Sequence, residues 1–140
     1  MTTPGGLHHL EIWVGDLAAA DRSWGWLLAR LGYEVRERWS SGVSWGRGAG
    51  PYVVLESGPD VAPAPHDRLR PGMNHLALWA GTRVEVDALV AAAPAHGWSL
   101  LFADRHPFAG GPQHYAAYLE DDHGFEVELV ASDGGAASTP

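Results

Sequence analysis

The sequence predicts an α+β fold in which two βαβββ modules form an eight-stranded, open, barrel-like cleft. Residues 6–15 and 72–81 are copies of one another, identical at five of ten positions. Each copy leads into a helix-like stretch and then three short strand-like stretches, the last of which carries a glutamate, Glu56 or Glu128. An internal repeat of this kind indicates one structural unit built twice. Because a single four-stranded sheet would leave one face bare, two modules are expected to enclose a shared cleft.

The first module is predicted over about residues 6–56. Apolar residues alternate with other types from 7 to 14, which indicates a strand with two different faces. Asp16 is suited to cap a helix over 17–31, whose apolar residues recur at helical spacing, and Gly32 suits the left-handed position beyond its end. Further strands separated by Gly/Ser turns are predicted at 33–39, 43–48 and 52–56.

The second module is predicted over about residues 72–131, after a proline-rich linker at 57–71. Thr82 is followed three residues later by a glutamate, which is the spacing of a capping box, and Gly97 ends the helix. The small, polar tail 132–140 is expected to fray. The strands of this module are predicted at 73–80, 99–104, 114–119 and 125–130.

Length and composition narrow the function classes. At 140 residues the chain is expected to be a single domain over 1–140. Its net charge of −8 argues against binding to nucleic acid or to anionic membranes, because both favour basic surfaces. The absence of cysteine excludes disulfides, thiolate zinc sites and cysteine nucleophiles, so a metal would need histidine and carboxylate ligands. Without an apolar run of about 20 residues or a signal peptide, a cytoplasmic location is expected.

Alternation along the strands decides which side chains face the predicted cleft. Leu10, Ile12 and Val14 form an apolar set that a helix should cover, so the residues between them face the cleft. In the last strand the same reasoning turns Glu126 and Glu128 toward the cleft. The facing of strand 52–56 stays open because nearly all of it is apolar or aromatic. The cleft-facing residues of the first strand and its repeat are His9, Glu11, Trp13, His75, Ala77 and Trp79.

Two histidines and two glutamates occupy matching places in the two modules. The repeat sets Glu56 against Glu128, so the fold is predicted to bring His9, His75 and both glutamates together. Such ligands suit a divalent ion (Zn, Ni, Fe, Mn or Co) with a position left for water or substrate. Two facing carboxylates without a cation would be costly to bury. The alternative is that both histidines are ordinary core or surface residues. His8 is expected on the helix-facing side in a structural role, with an exchange of roles between His8 and His9 as the alternative.

Several other residues are candidates for substrate contact, and aromatic ones are expected to wall the pocket. The loop 104–115 mixes glycines with cationic and aromatic residues, so it is either a lid or a long hairpin. The segment 66–70 is either a solvated linker or an arm that reaches the cleft of a partner subunit. The predicted substrate-contacting residues are Glu11, Trp13, Tyr52, Trp79, Arg105, His114 and Tyr118.

Three segments of the chain resemble the vicinal oxygen chelate superfamily, which includes glyoxalase I, bleomycin- and fosfomycin-resistance proteins and extradiol dioxygenases. They are residues 7–17, 72–78 and 118–129, and the last is similar to the family ending Phe/Tyr-x-x-Asp-Pro-x-Gly-x-x-x-Glu-Leu, with Asp122 in place of proline. The resemblance implies the glyoxalase/bleomycin resistance fold and a homodimer. Resemblance to glyoxalase I implies four metal ligands, His9, Glu56, His75 and Glu128, with either glutamate as proton shuttle.

The resemblance also bears on the reaction. Glyoxalase I carries a cationic residue in its first strand for the carboxylate of glutathione, and Trp13 occupies that place here. We therefore expect a metal-dependent, glyoxalase-like isomerase or lyase that acts on a small, apolar or aromatic, oxygen-bearing substrate chelated to the metal. One alternative is a metal-free binding or resistance protein that sequesters an aromatic natural product. Another is an extradiol ring-cleaving dioxygenase, for which the resemblance implies His114 and Tyr118 as acid/base groups.

Overall fold

A computed structural model describes residues 2–133, so residues 134–140 of the tail that was predicted to fray lie outside the described part. The chain divides into two compact units, Met1–Ala64 and Pro65–Pro140. Each unit holds one four-stranded mixed sheet with a helix, which confirms the predicted α+β fold of two βαβββ modules. No helix in the described part of the chain is long and apolar enough to cross a membrane.

The first unit has the strand order β1-β4-β3-β2, with β1 parallel to β4 and the other neighbours antiparallel. Asp16 caps the helix by accepting a hydrogen bond from the Ala19 amide at 3.1 Å, as predicted. Gly32, with φ of +88°, follows the end of the helix in the left-handed region. The elements are β1 (His9–Trp13), α1 (Leu17–Arg30), β2 (Glu34–Trp39), β3 (Gly42–Gly46) and β4 (Tyr52–Glu56).

The core of the first unit lies between α1 and the sheet. Ile12 and Val14 are buried on the side of β1 that the sequence assigned to the helix, whereas His9, Glu11 and Trp13 are exposed. The helix buries a row of apolar side chains against this face because they recur at helical spacing. That row consists of Ala20, Trp24, Leu27 and Leu28.

The second unit repeats the plan with the strand order β5-β8-β7-β6. The predicted capping box is present: Thr82 accepts from the Glu85 amide, and the Glu85 carboxylate accepts from the Thr82 amide. Gly97 ends the helical region with φ of +85°. The elements are β5 (Leu76–Trp79), α2 (Arg83–Ala92), a short 3₁₀ helix (Ala93–His96), β6 (Trp98–Leu101), β7 (Ala116–Asp121) and β8 (Glu126–Val130).

Residues 66–70, which we call the strap, pack on the sheet of the second unit. The His66 ring stacks on Phe125 with centroids 4.4 Å apart, and the His66 amide donates to the His123 carbonyl. The Arg68 guanidinium lies 3.2 Å from a carboxylate oxygen of Glu126 and 3.5 Å from one of Glu120. The prediction of a solvated linker is therefore wrong for His66 and Arg68, because stacking and ion pairing hold them to their own unit.

The strap also explains why β5 is shorter than predicted. The sequence indicated a strand from residue 73, but β5 begins at Leu76. The Met73 carbonyl is hydrogen-bonded to the His66 ring, and the Asn74 side-chain amide donates to the Arg68 carbonyl. The backbone carbonyl of Met73 is therefore bonded to the strap and not to a neighbouring strand, which agrees with the later start of the sheet.

Candidate metal centre

The chemistry of the second unit centres on the carboxylate of Glu128. This residue lies in β8, opposite Ala77 of β5 and Tyr118 of β7, and only 6% of its surface is exposed. His75, directly before β5, places its Nε2 atom 3.0 Å from Oε1 of Glu128. His114, at the end of the loop before β7, makes a short hydrogen bond through its own Nε2 to Oε2. One buried carboxylate thus faces two imidazole nitrogens, one on each oxygen.

Tyr118 flanks this carboxylate on the same face of the sheet. Its ring packs edge-on against His75 and against Phe102, with centroids 5.8 and 5.6 Å apart. Burial raises the pKa of the Tyr118 phenol, and the nearby negative charge of Glu128 raises it further. The phenol therefore stays protonated and can donate a hydrogen bond. Arg105 lies over the Phe102 ring at 5.0 Å, on the outer side of this group.

The loop 104–115 packs closely over His114 and Tyr118. A Cβ atom on Gly110 would lie 2.6 Å from the Tyr118 hydroxyl and 2.7 Å from the His114 ring, so only glycine permits this approach. At the end of the loop, the Tyr115 hydroxyl donates to Asp87 of α2 at 2.6 Å, and Arg83 lies 4.7 Å from the Tyr115 ring centroid. The loop is therefore fastened to its own unit at both His114 and Tyr115, whereas the sequence left a lid and a plain hairpin open.

A second buried carboxylate, Glu126, lies two residues before Glu128 on the same face. It is 2% exposed, and burial raises its pKa, while the Arg68 guanidinium opposes that rise. Like Glu128, it was predicted to face the cleft. The strap therefore supplies the cation that makes burial of this carboxylate tolerable.

In the first unit, the candidate residues share one face of the sheet. Directly opposed residues of β1 and β4 point to the same side, so the register His9–Tyr52 and Trp13–Glu56 settles the facing of β4. The His9 ring stacks on Tyr52 with centroids 4.9 Å apart and planes 7° apart. Trp13 donates its indole N–H to Glu11 at 2.8 Å.

The register corrects the expected equivalence of Glu56 and Glu128. By the repeat, Glu11 corresponds to Ala77; Glu11 pairs with Val54, whereas Ala77 pairs with Glu128. Val54 is therefore the counterpart of Glu128, and Glu56 lies two residues further along its strand. Aligning the buried pair 53 and 55 with 127 and 129, instead of aligning the two glutamates, would have revealed this from the sequence.

Glu56 consequently lies away from His9. It stands four residues along β4 from the position opposite His9, about 13 Å at roughly 3.3 Å per residue. Its carboxylate accepts hydrogen bonds from Ser41 and from the Trp39 indole, which together lower its pKa. The Trp39 ring reaches Glu56 by lying across Gly42, where any side chain would collide with it. A carboxylate held ionised in this way is a poor proton acceptor.

Two cavities open on this face of the first unit. One, of about 360 Å³, is lined by His9, Tyr52 and Trp39 among others. The second, of about 290 Å³, is lined by Trp13, Glu56 and residues 58–61. Glu11 borders both, so the predicted contact residues of this unit surround accessible space.

The structure brings the predicted residues together within each unit. His75, His114, Tyr118 and Glu128 form one group. Trp79 is 74% exposed at the end of β5, so within its own unit it walls no pocket. His8 is exposed and touches the His9 ring, which corrects its predicted helix-facing place.

That His9 and Glu56 of the first unit bind the same metal as His75 and Glu128 of the second stays a prediction. Sequence reasoning missed the roles of Asn74 and Arg68, which only the strap reveals.

The donor types of the second unit fit a divalent transition metal. Imidazole nitrogen and carboxylate oxygen are the ligands such ions prefer in the absence of thiolate. No three histidine, aspartate or glutamate side chains between residues 2 and 133 already surround a common point as a closed metal site. His75 and Glu128 would therefore provide only part of the coordination sphere of such an ion, and further ligands or water would have to complete it.

Comparison with known proteins gives consistent results. The sequence model of the Glyoxalase/Bleomycin resistance protein/Dioxygenase superfamily matches residues 8–118. The uncharacterized protein YqjT of Bacillus subtilis (strain 168) is 42% identical over 125 residues, which are 89% of this chain and 98% of YqjT. A candidate glyoxalase from Bacillus halodurans is 45% identical with a TM-score of 0.83, over 91% of this chain and 96% of that one. Lactoylglutathione lyase from Agrobacterium tumefaciens shares the fold (TM-score 0.64, 20% identity, 94% and 96% covered).

Proposed function

Because the chain belongs to the glyoxalase/bleomycin resistance protein/dioxygenase superfamily, we propose that it is a metal-dependent, glyoxalase-like isomerase or lyase. The substrate is a small, apolar or aromatic molecule with adjacent oxygens. The observation that carries this proposal is the buried Glu128 carboxylate, flanked by the Nε2 atoms of His75 and His114. A buried carboxylate between two imidazoles is the chemistry that a divalent cation recognises.

His75 and Glu128 would hold the metal in the second unit, and His9 would contribute from the first. Glu56 remains our fourth predicted ligand, although its position along β4 makes it the weakest of the four. Bound there, the metal would hold adjacent substrate oxygens and stabilise negative charge that develops on them. We include a homodimer in the proposal, since the family resemblance implies one.

Glu128 is the residue best suited to move a proton. Its carboxylate accepts the C–H proton next to the substrate carbonyl, and the C–H electron pair forms a C=C bond while the carbonyl π pair moves to oxygen. When the carbon that lost the proton carries a hydroxyl group, returning the proton to the former carbonyl carbon converts that hydroxyl into the new carbonyl, and the hydroxyl proton passes to the former carbonyl oxygen. The isomerisation therefore needs no external oxidant. Glu56 suits this role less, because hydrogen bonds from Ser41 and Trp39 lower its pKa. Tyr118, kept protonated by its raised pKa, can donate a hydrogen bond to a substrate oxygen.

The substrate class follows from the walls of the site. The cavities of the first unit carry the rings of Trp13, Trp39 and Tyr52, and no cation occupies the β1 position of Trp13. Carboxylates also line both cavities, and the Arg36 guanidinium lines the larger one. In the second unit, polar contacts with the substrate would come from Arg105, His114 and Tyr118. Aromatic rings beside several carboxylates and one guanidinium support an apolar or aromatic substrate over a negatively charged glutathione conjugate.

The test is proton exchange in a model substrate. The protein is stripped of metal and reloaded with zinc, nickel, cobalt, manganese or iron. It is then mixed in D₂O with 2-hydroxyacetophenone, an aromatic α-hydroxyketone. Hydroxyacetone, which has a methyl group in place of the aromatic ring, is the control substrate. We expect metal-dependent loss of the α-proton signal in the NMR spectrum, faster for the aromatic compound, and its absence in Glu128→Gln. Exchange that is equal without metal, or undiminished in Glu128→Gln, contradicts the proposal.

A ring-cleaving dioxygenase is the second candidate, favoured by the contact of His114 with Glu128 and by Tyr118 beside it. Oxygen uptake with iron and a catechol, without proton exchange, would select it. A metal-free binding protein is favoured by the cavity that Tyr52 and Trp39 line. Tight binding of an aromatic compound that metal neither strengthens nor requires would select that function.

A further inference from the structure

Each candidate metal-binding histidine is held by the residue that precedes it. We propose that Asn74 and His8 are positioning residues that keep the proton of His75 and His9 on Nδ1, so that Nε2 is the nitrogen presented to a divalent metal. This inference rests on the proposed function for its metal, but the position of the proton can be measured without one.

In the second unit, hydrogen-bond polarity fixes the arrangement. A backbone carbonyl can only accept, so the Asn74 Nδ2 group must be the one that faces the Arg68 carbonyl, 3.0 Å away. The Asn74 Oδ1 atom therefore faces Nδ1 of His75, at 2.7 Å. Because an amide oxygen also only accepts, Nδ1 of His75 must carry a proton. With the proton on Nε2 instead, the bare Nδ1 nitrogen and this amide oxygen would be two facing acceptors. With the proton on Nδ1, the facing acceptors are Nε2 and the Glu128 oxygen, a pair that a cation would stabilise.

The strap is what holds Asn74 in this orientation. The Arg68 carbonyl is placed by the two anchors of the strap, the His66–Phe125 stack and the ion pair between Arg68 and buried Glu126. The Met73 carbonyl, next to Asn74, is itself hydrogen-bonded to His66. A chain of contacts thus runs from the sheet through the strap to the His75 ring.

The first unit repeats the arrangement with a different residue. His8 occupies the repeat position of Asn74, and its Nδ1 atom lies 2.8 Å from Nδ1 of His9. At that distance one nitrogen donates and the other accepts, and the arrangement that matches the second unit has His9 donating. The stack of His9 on Tyr52 fixes the ring plane, so Nε2 is turned away from His8. In both repeats, therefore, the side chain of the preceding residue lies within hydrogen-bond distance of Nδ1 of the candidate ligand.

The consequence for metal binding is direct. A histidine that binds metal through one nitrogen commonly donates the other N–H to a neighbour, and losing that neighbour weakens binding about 10- to 100-fold. In the second unit, an unprotonated His75 Nε2 faces a Glu128 oxygen at 3.0 Å. Two acceptors at that distance call for a shared proton or cation, and a metal supplies the cation.

The experiment is long-range ¹H–¹⁵N NMR of the histidine rings in ¹⁵N-labelled full-length protein, metal-free and zinc-loaded, at about pH 8.5, well above the ordinary imidazole pKa of about 6.5. In the wild type we expect Nδ1 of His9 and His75 to be protonated, and zinc to bind through Nε2. In metal-free Asn74→Ala the proton of His75 should move to Nε2, where Glu128 accepts it. Zinc affinity should fall about 10- to 100-fold in Asn74→Ala and in His8→Ala.

Exchanging the two residues between the repeats provides the rescue. Asn74→His and His8→Asn each install the partner found in the other unit, so both should retain zinc affinity within about threefold of wild type, a change worth less than about 1 kcal/mol. Gln113→Ala removes the only other side-chain amide of the sequence and should leave both ring protons in place. A backbone ¹H–¹⁵N spectrum of each variant verifies that it is folded.

Three results would overturn the proposal: a wild-type proton on Nε2 of His75, a proton position unchanged in Asn74→Ala, or unchanged zinc affinity in both alanine variants. If the wild type binds no zinc while the ring protons lie as expected, the proposed function fails and the positioning roles of Asn74 and His8 stand. If the wild type binds zinc but the ring protons are not on Nδ1, the positioning roles of Asn74 and His8 fail and the proposed metal binding stands.

Discussion

At the scale of single residues, the burial of charge defines the second unit. Glu126 and Glu128 lie almost wholly out of water on one strand, and a buried carboxylate is costly unless cationic or donor groups surround it. The Arg68 guanidinium forms an ion pair with Glu126, whereas the carboxylate of Glu128 faces one ring nitrogen of His75 and one of His114. Imidazole groups also bind metal ions, whereas a guanidinium does not. The surroundings of Glu128 are therefore a candidate metal site, and the contact between Arg68 and Glu126 is a structural ion pair.

A single glycine, Gly124, allows the strap to pack against the second unit. Gly124 has φ of +91°, and a Cβ there would collide with the His66 carbonyl. We expect Gly124→Ala to lower the free energy of unfolding by the cost of a left-handed alanine, about 1–2 kcal/mol, plus an overpacking cost of about 1–3 kcal/mol. Urea unfolding measures the change.

Gly5→Ala is the matched control for that variant. Gly5 has nearly the same φ, +93°, but nothing within 4 Å of its Cβ position, so it reports the conformational cost alone. Equal destabilisation by the two substitutions would show that the approach of the strap to Gly124 contributes nothing to stability.

At the scale of elements, the register of β4 determines which of the two glutamates, Glu56 or Glu128, is expected to contribute more to metal binding. We expect Glu128→Gln to weaken the binding of zinc more than Glu56→Gln does, because only Glu128 contacts a candidate ligand histidine of its own unit. Isothermal titration of both variants against the wild type measures the difference. A larger loss in Glu56→Gln would mean that the displaced register still delivers Glu56 to the metal.

The hydrogen bond between Tyr115 and Asp87 ties the loop before β7 to α2. It is the largest cause of the raised pKa of Tyr115. A group whose pKa is raised on folding stabilises the fold fully below its unfolded pKa and loses that contribution as pH rises through the folded pKa. Tyr115→Phe should therefore lower stability by about 1 kcal/mol at neutral pH, and the deficit should shrink above about pH 10.

Thermal unfolding of wild type and Tyr115→Phe across pH 7 to about 11 checks this sign. Tyr33→Phe, in the first unit, is the tyrosine control. A deficit that grows with rising pH would contradict the assignment, since it would mean that ionised Tyr115 holds the loop better than the neutral phenol does.

Elements were easier to predict than the contacts between them. The alternation around Ile12 and the capping signals at Asp16 and Thr82 are local, and local patterns specify strands and helix ends directly. Alternation within β4 does not indicate the register of Glu56, because this strand is buried on both faces at its centre; only the match of residues 53 and 55 with 127 and 129 indicates it. The contacts of the strap with the sheet could not be predicted either, because a proline-rich composition indicates a loop but not which residues its arginine contacts.

At the scale of the whole molecule, the internal repeat carries most of what the sequence predicts. It gives two units of the same plan, confirmed by the strand orders, and it places His9 and His75 at matching positions. It also suggested that Glu56 matches Glu128, which the register contradicts. A repeat therefore conveys architecture more reliably than it conveys the placement of one side chain within a strand.

The most direct test of the account is the metal content of the purified full-length protein. Wild type, His75→Ala and the control His96→Ala are stripped with a chelator, reloaded with a mixture of divalent ions, desalted and measured by elemental analysis. We expect about one divalent metal per chain in wild type and in His96→Ala, and loss of that metal in His75→Ala. A wild type that retains no metal, or a His75→Ala variant that retains all of it, would contradict a metal centre built on His75 and Glu128.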